Sequence, residues 1–194
     1  MKIIHLISSI DKGGAETHLY SLVKKQVKDN NIVTIIYLKG NDYWKKYYKK
    51  IGVKTYKLNH NIKYDFFSFL RTIYRINNII NLNSPNILHA HLSEMELVAA
   101  LLKFVFRKKF DFIVTKHLDS FFLEASFGRR SFFNGKLIDR FIINTAKKVI
   151  CISKQVKSHF QKITNSKNKL KMIYYGFDFE KFKNSKNYKK KKFS

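Results

Sequence analysis

The sequence predicts an α/β protein built on an open, Rossmann-like parallel sheet flanked by helices. Short runs rich in β-branched residues alternate with helical stretches, and strands separated by helices pair in parallel through right-handed crossovers. One proline and seven glycines in 194 residues argue against a loop-rich chain. The hydrophobic content of 45% suffices for a core, so we expect one domain over residues 1–182 and a basic tail over 183–194.

The first half of the chain is predicted to hold three strands and three helices. Their order is strand Lys2–Ser8, helix Ala15–Asp29, strand Ile32–Leu38, helix Asp42–Lys50, strand Val53–Leu58 and helix Asp65–Leu82. The first helix is amphipathic, because Leu19, Leu22, Val23 and Val27 recur on one stripe.

Pro85 then interrupts the helical pattern, because proline ends helices and favours extended neighbours. The remaining elements are strand Asn86–Ala90, helix Ser93 to about Arg107, strand Asp111–Thr115, helix Ser131–Ala146, strand Lys148–Ser153, helix Lys154–Ile163 and strand Leu170–Tyr174. Ser93 is expected to cap its helix, and Glu96 completes a capping box three residues later.

The formal net charge of +26 comes mainly from lysine, since only six of the 39 basic residues are arginine. Abundant Asn, Ile, Phe and Tyr share A/T-rich codons with lysine, so compositional drift explains part of the charge. Nucleic-acid readers usually rely on bidentate arginine contacts, and we expect no specific nucleic-acid partner. The positive field still attracts phosphate-bearing surfaces, including anionic lipid.

Three features indicate a protein of the cytoplasm. The apolar start is followed by Asp11 rather than by a small-residue cleavage site, which favours a strand over a signal peptide. The apolar stretch 97–106 contains Lys103 and is too short to cross a bilayer. The single cysteine, Cys151, cannot form an internal disulfide and suits a buried core position in a reducing compartment.

Ligands of open α/β sheets bind at the carboxyl ends of the strands, so the loops after the strands are the candidate sites. Gly13 and Gly14 follow the first strand at the mouth of a helix, where free N–H groups and the helix dipole favour a phosphate. The segment is neither the dinucleotide fingerprint nor a P-loop. A plain turn from strand to helix remains the alternative.

Histidines mark the ends of the fourth and fifth strands. His89 and His91 share one face of a strand and could bind metal, but no third ligand of suitable spacing is evident. We therefore expect polar contacts at a cleft edge, with no metal and no cofactor. His117 closes the fifth strand, where a site residue would stand, and a structural histidine is the alternative.

Five segments, in order and at suitable spacing, resemble the N-terminal domain of family-4 retaining GT-B glycosyltransferases. They are Gly13-Gly14-Ala15-Glu16, Pro85-Asn86-Ile87-Leu88-His89-Ala90-His91, Val114-Thr115-Lys116-His117, Val149-Ile150-Cys151-Ile152-Ser153, and Ile173-Tyr174-Tyr175-Gly176-Phe177-Asp178 with Phe182. The resemblance covers about residues 2–182. It implies the N-terminal, acceptor-side half of a GT-B fold.

The resemblance also implies roles for the matching residues. Gly13 and Gly14 would approach the donor diphosphate across the cleft between two domains. His117 would be the catalytic residue beside the transferred sugar, and Glu16 and His91 would lie on the acceptor side of the cleft. A residue that is often Asn in the family is Tyr175 here, so that position is given no role.

Family members continue into a second domain whose Glu-x7-Glu element holds the nucleotide-sugar, and this sequence ends about where that domain would start. The resemblance thus implies half of a retaining enzyme, inactive without a C-terminal donor-binding domain. A truncated reading frame, a fragment and one half of a split enzyme, with a separate C-terminal domain as partner, are the alternatives. It would transfer a sugar from a nucleotide-sugar donor to a lipid-linked or saccharide acceptor, as in cell-envelope polysaccharide biosynthesis. The alternative is a non-catalytic basic module that binds anionic membrane or RNA.

Two stretches, 43–50 and 103–110, interleave basic and aromatic residues, a pattern that suits the membrane interface. Family members that act on lipid-linked acceptors often dock on membranes through this domain. We therefore expect peripheral binding at the inner face of the membrane, with Trp44, Phe104 and Phe106 as anchors.

Overall fold

Seven parallel strands form one sheet in the computed structural model, which describes residues 1–59, 66–120 and 135–176. The strands are β1 (Lys2–Ser9), β2 (Ile32–Lys39), β3 (Lys54–Lys57), β4 (Ile87–His91), β5 (Asp111–Lys116), β6 (Lys148–Cys151) and β7 (Leu170–Met172). The helices of the described residues are α1 (Gly14–Lys28), α2 (Lys45–Lys50), α3 (Phe66–Asn83), α4 (Ser93–Val105), α5 (Gly135–Thr145) and α6 (Lys154–Gln161), with a 3₁₀ turn at Lys167–Lys169. The predicted fold class is confirmed.

The strand order β3-β2-β1-β4-β5-β6-β7 reverses once. The chain runs outward from β1 to β3, returns through α3 to pair β4 with β1, and then continues outward on the other side. The crevice at the carboxyl ends of β1 and β4 is therefore the topological switch point, where open sheets of this kind bind ligands.

The alternation of side chains along the strands divides the core into two parts. Ile4 and Leu6 of β1 belong to the part that packs against α3, α4, α5 and α6. Ile7 belongs to the other part, with Ile35 and Tyr37 of β2, beneath α1 and α2. Burial on both faces explains why the central strands are apolar almost without interruption.

Polar side chains shift two of the predicted boundaries. Helix α2 begins at Lys45 rather than Asp42, because Asp42 has a φ of 61° and its carboxylate accepts a hydrogen bond from the Tyr37 hydroxyl at 3.0 Å. Strand β6 ends at Cys151 rather than Ser153, because the Ser153 hydroxyl caps α6 by accepting from a backbone N–H at 3.1 Å. Short side-chain bonds of this kind compete with strand and helix pairing.

Some predicted features lie outside the described residues. They are the first residue of the helix predicted over 65–82, the first four of the helix predicted over 131–146, and the segment 177–194 with its basic tail.

The predicted capping box at the start of α4 is wrong. The N-cap is Leu92 at a φ of 68°, and no side chain of the described residues caps the helix there. Glu96 instead turns into the core, where its carboxylate accepts a hydrogen bond from Lys116 Nζ at 2.5 Å. The same ammonium contacts the carboxylate of Asp139 in α5 at 2.6 Å. Glu96 pairs with the buried ammonium rather than with the N-terminus of α4, because water can satisfy an N–H group at the surface but cannot reach a buried charge.

The ion triad of Glu96, Lys116 and Asp139 joins β5 to two helices. Burial raises the pKa of Glu96 to about 7, although Lys116 opposes the shift. Burial by itself would lower the pKa of Lys116, but the two carboxylates together raise it above its usual value. We therefore treat the ammonium as charged and the triad as a structural unit that orients the end of β5.

Removing the ammonium should be much more damaging than removing a surface lysine. Lys116→Met leaves two buried carboxylates without a cation, and we expect the free energy of unfolding in urea to fall by about 3–5 kcal/mol. Lys147→Met is the matched control, because Lys147 pairs with Asp111 at the surface, where the two side chains are 61% and 48% exposed. Its loss should be about 1 kcal/mol or less. Equal losses in the two variants would contradict the assignment.

Candidate functional site

The loop between β1 and α1 is held in place at the carboxyl edge of the sheet. Its Asp11 carboxylate accepts a hydrogen bond from the Asn41 backbone N–H at 2.6 Å. The Ile10 carbonyl accepts one from the backbone N–H of Trp44 at 2.9 Å. Gly40 has a φ of 115°, and a Cβ there would lie 2.2 Å from an Asp11 oxygen. A glycine is therefore required at the end of β2 if the two loops are to meet.

The two predicted phosphate-binding glycines open this loop into α1. Gly13 is the extended N-cap residue, and a Cβ on it would meet the Glu16 carboxylate at 2.1 Å. Gly14 has open space around it, with nothing within 4 Å of an added Cβ. Glu16 is held at the rim by Ser9, whose hydroxyl donates to it at 2.9 Å. An anion approaching Gly13 would have to displace the Glu16 carboxylate.

Three histidines lie on one face of the sheet because of the strand register. His5 of β1 pairs with His89 of β4, and His91 follows two residues later on the same face. All three are buried, at 5% exposure or less, on the side covered by α1. The third histidine that the sequence did not reveal is thus His5, which comes from the neighbouring strand.

Hydrogen bonds join His5 and His91 to His117 in a row that begins at Gln26 and ends at Tyr175. Gln26 Oε1 of α1 is 2.8 Å from His5 Nε2, and His5 Nδ1 is 3.1 Å from His91 Nε2. His91 Nδ1 is in turn 3.3 Å from Nε2 of His117. At the rim, His117 Nδ1 is hydrogen-bonded to the Tyr175 hydroxyl. We call these five residues the histidine row.

Two aromatic residues close the outer end of the histidine row. The Tyr175 ring stacks on His18 of α1, with ring centroids 3.9 Å apart. Burial raises the pKa of Tyr175 to about 12 and lowers the pKa of His18. The site therefore presents a neutral phenol and neutral imidazoles at neutral pH, at the edge where a ligand would enter.

The histidine pKa values fall because the rings are buried. Burial lowers the pKa of His5 from 6.5 to about 4. The pKa of His117 falls to about 4 through burial first and then through His18 and Lys116. Burial also lowers the pKa values of His89 and His91 well below 6.5. Each ring can therefore donate one hydrogen bond and accept one.

His5, His89 and His91 could also hold a metal ion, because their ligand atoms all lie within 4.8 Å of one another. Both nitrogens of His5 and of His91, however, already make hydrogen bonds, and His89 Nε2 is 2.7 Å from the Thr115 hydroxyl. This bonding satisfies His5 and His91 without an ion. The expectation that no metal is used stays a prediction.

The sequence-predicted site residues lie at the same edge but at different depths. Gly13, Gly14, Glu16 and His117 follow β1 or β5 at the rim, where His117 is half-buried. His91, predicted to be a cleft residue, is 0% exposed and lies one hydrogen bond behind His117. A ligand in the crevice would meet His117 first.

Sequence reasoning missed the partners of His117. His5 could have been found from the sequence, because it is a polar residue inside an apolar strand and faces the same side as Ile7. Gln26 and His18 lie on α1 with no distinguishing pattern. Tyr175 was given no role, and it proves to be the residue bonded to His117.

Trp44 does not have the exposed position expected of a membrane anchor. It is half-buried, packs against the core beneath α1 and α2, and stacks on Tyr20 with ring centroids 4.6 Å apart. Phe104 and Phe106 are 66% and 45% exposed at the end of α4. Only the second basic-aromatic stretch therefore offers exposed rings. In the part of the chain that the structure describes, no helix has the length and apolar character to cross a bilayer.

Cys151 occupies the predicted core position. Its thiol is free and buried, and burial raises its pKa to about 11. The thiolate is the nucleophilic form of cysteine, so a catalytic role for this residue is disfavoured.

Comparison with known proteins gives a family and a fold. The profile of Glycosyltransferase Family 4 matches residues 12–181. No curated protein matches the sequence significantly.

Solved structures similar to this chain are about twice its length and include glycosyltransferases. HepE of Anabaena, solved with UDP and glucose, is 19% identical at a TM-score of 0.69, over 93% of this chain and 46% of HepE. A glycosyltransferase of Rickettsia africae is 21% identical at 0.70, over 93% and 44%. The lipopolysaccharide outer core galactosyltransferase WaaB is 18% identical at 0.68, over 90% and 45%. At these identities the likeness shows the fold, and the chain spans less than half of each relative.

The buried histidines should make the protein less stable at acid pH. The pKa of His5 is 6.5 when unfolded and about 4 when folded, so the folded chain binds fewer protons between these values. Stability that is complete above pH 6.5 should be lost as the pH falls towards 4, by about 3 kcal/mol for His5 alone. The measurement is the free energy of unfolding in urea across this range.

His5→Gln is the comparison protein for this prediction. It should be less stable than the wild type at neutral pH and should show a flatter dependence on pH. Glu96 has a raised pKa and acts in the opposite direction, but both proteins retain it, so the difference between the two curves isolates His5. Parallel curves would show that His5 is not neutral in the fold for the reason given.

Proposed function

The chain belongs to glycosyltransferase family 4, and we propose from that membership that it forms the acceptor-side half of a transferase cleft. The reaction would move a sugar from a nucleotide-sugar to a lipid-linked or saccharide acceptor with retention of anomeric configuration. The observation that carries the proposal is that His117, whose pKa is lowered, lies at the carboxyl edge of the sheet beside His18 of α1, with ring centroids 6.3 Å apart.

The two parts of this rim suit the two parts of a nucleotide-sugar. The N-terminus of α1 suits a diphosphate, because Gly14 leaves open space beside the backbone and the helix dipole favours an anion, which would displace the Glu16 carboxylate from Gly13. His117 suits the sugar, because a neutral imidazole exchanges hydrogen bonds with hydroxyl groups. HepE, which shares the fold, was solved with UDP and glucose, and this favours a nucleotide-sugar as the donor here.

The second half of the cleft would come from a donor-binding domain, in the same polypeptide or as a separate one. The chain covers 44–46% of the solved structures that it resembles. We propose that the 194 residues alone give no transfer above background, because the leaving diphosphate would be held from one side only. Catalysis would rest on closure of the cleft, which places the N-terminus of α1 against that diphosphate.

Gly14→Val tests the diphosphate assignment. An added Cβ meets nothing within 4 Å, so the fold should tolerate it, while a branched side chain would block the approach of a diphosphate to the backbone. In the enzyme that contains both halves, we expect the KM for the nucleotide-sugar to rise at least about tenfold. Ser21→Val, on an exposed position of the same helix, is the matched control. Equal kinetics in the two variants would contradict the assignment.

His117→Ala tests the catalytic assignment in the same assay. Loss of one preorganised hydrogen-bonding group should lower kcat by about 10²-fold. The free energy of unfolding should fall by no more than about 1–3 kcal/mol, as expected when one buried hydrogen-bond partner is lost. A variant that is less stable but retains the wild-type kcat would show that His117 is a structural histidine.

We also propose that the end of α4 contacts an anionic membrane. Phe104, Val105 and Phe106 are 66%, 60% and 45% exposed, and the exposed Arg107 follows directly. Apolar side chains beside basic ones suit the lipid interface, where each basic residue adds about 1 kcal/mol of attraction. Helix α4 starts at the rim and has 13 residues, which places this patch about 20 Å from the cleft.

Co-sedimentation with vesicles tests the membrane contact. Serine at both Phe104 and Phe106 should weaken binding to anionic vesicles at physiological salt by about tenfold, because two apolar side chains no longer enter the interface. Tyr74→Ser, at a 65% exposed position on α3, is the matched control. Competing RNA should leave the vesicle binding intact. Release by RNA, with no effect of the serines, would favour non-specific binding of polyanions instead.

A further inference from the structure

The histidine row is a chain of hydrogen bonds in which each neutral ring has one donor and one acceptor nitrogen. Nε2 of His91 and Nδ1 of His5 are 3.1 Å apart, and Nε2 of His117 and Nδ1 of His91 are 3.3 Å apart. One nitrogen of each pair must carry the proton. Once the direction of one bond is set, the direction of every other bond in the row follows.

Gln26 sets that direction at the inner end. Its carbonyl oxygen, 2.8 Å from His5 Nε2, can only accept, so the proton of His5 is on Nε2. His5 Nδ1 must then accept from His91 Nε2, and His91 Nδ1 must accept from His117 Nε2. The Nδ1 atom of His117 is left with its lone pair, and the Tyr175 hydroxyl donates to it.

His89 does not interrupt this row. Its Nε2 is 2.7 Å from the Thr115 hydroxyl, which can rotate to donate or to accept. The row from Gln26 to Tyr175 is therefore linear, and Gln26 is the member whose contacting atom has one fixed role. The phenol at the other end can act as donor or acceptor and so adapts to what it meets.

We propose that Gln26, acting through His5 and His91, fixes the tautomer of His117, so that its Nδ1 faces the cleft as a hydrogen-bond acceptor. An acceptor nitrogen binds a hydroxyl group and does not donate to a phosphate oxygen. The Tyr175 hydroxyl fills this position in the structure, and a carbohydrate hydroxyl takes its place when the cleft is occupied. That last step rests on the proposed function, whereas the tautomer does not. Gln26, His5 and His91 are thus positioning residues.

Nitrogen NMR of the 194-residue chain tests the tautomer directly and needs no enzymatic activity. With ¹⁵N-labelled histidine, a protonated ring nitrogen resonates well upfield of one with a lone pair, and correlations to the ring carbon-bound protons distinguish Nδ1 from Nε2. We expect the Nε2–H form for His5, His91 and His117 at neutral pH. The Nδ1–H form, or a mixture, in the wild type would overturn the proposal.

Three variants separate control by Gln26 from general packing. Gln26→Met removes the terminal acceptor, and His117, three hydrogen bonds away, should shift to a mixture of tautomers. Gln26→Glu retains an acceptor oxygen and should keep the Nε2–H form of His117 at a pH high enough to leave His5 neutral beside the carboxylate. Tyr175→Phe removes the partner nearest to His117, yet it should also keep the Nε2–H form.

Two results with these variants would contradict the control of the tautomer by Gln26. A folded Gln26→Met variant with an unchanged His117, or a Tyr175→Phe variant with a reversed tautomer, would show that Gln26 does not set the direction. Zn²⁺ added in equimolar amount should leave the ring nitrogens of His5 and His91 unchanged. A stoichiometric shift would make the cluster a metal site and overturn the proposal. Loss of transferase activity in the enzyme that contains both halves, without a change of tautomer in the 194-residue chain, would bear only on the proposed function.

Discussion

The parallel register of β1, β4 and β5 is the constraint on which the site depends. It sets His5 beside His89, and His91 beside Thr115, so that polar residues from three separate parts of the sequence meet on one face at the carboxyl edge. A shift of one residue in either pairing would turn these side chains to the opposite face, among apolar neighbours. Apolar burial on both sides of the sheet therefore fixes the histidine row as firmly as it fixes the core.

The same alternation separates two kinds of chemistry at the end of β5. Lys116 points to one face, where Glu96 and Asp139 keep it charged and hold α4 and α5 against the strand. His117 follows it at the rim, bonded to His91 and Tyr175, and remains neutral. A chain of net charge +26 thus offers uncharged hydrogen-bonding groups at its candidate site. In the proposed cleft, the long-range field and the N-terminus of α1 attract the diphosphate, and neutral rings contact the sugar.

The fold could be predicted from the sequence because its signals are local. Apolar runs, Pro85 and the helical stripes each act within a few residues, and they give the order of the elements. The site could be predicted only in part, because Gly13, Gly14 and His117 follow strands directly, whereas their partners come from distant positions. Glu96 shows the limit, since its local pattern predicts a capping box while a lysine 20 residues away draws it into the core.

The most direct test of the account is the pKa of His117, measured by NMR titration of its ring protons in the 194-residue chain and assigned with His117→Gln. A His117 imidazole held in the histidine row stays neutral well below the ordinary pKa, with a midpoint at about 4. Titration near 6.5 would mean that the ring is open to water rather than held in the histidine row. The rim would then be partly charged near neutral pH when it should offer only a lone pair, and the histidine row would be wrong.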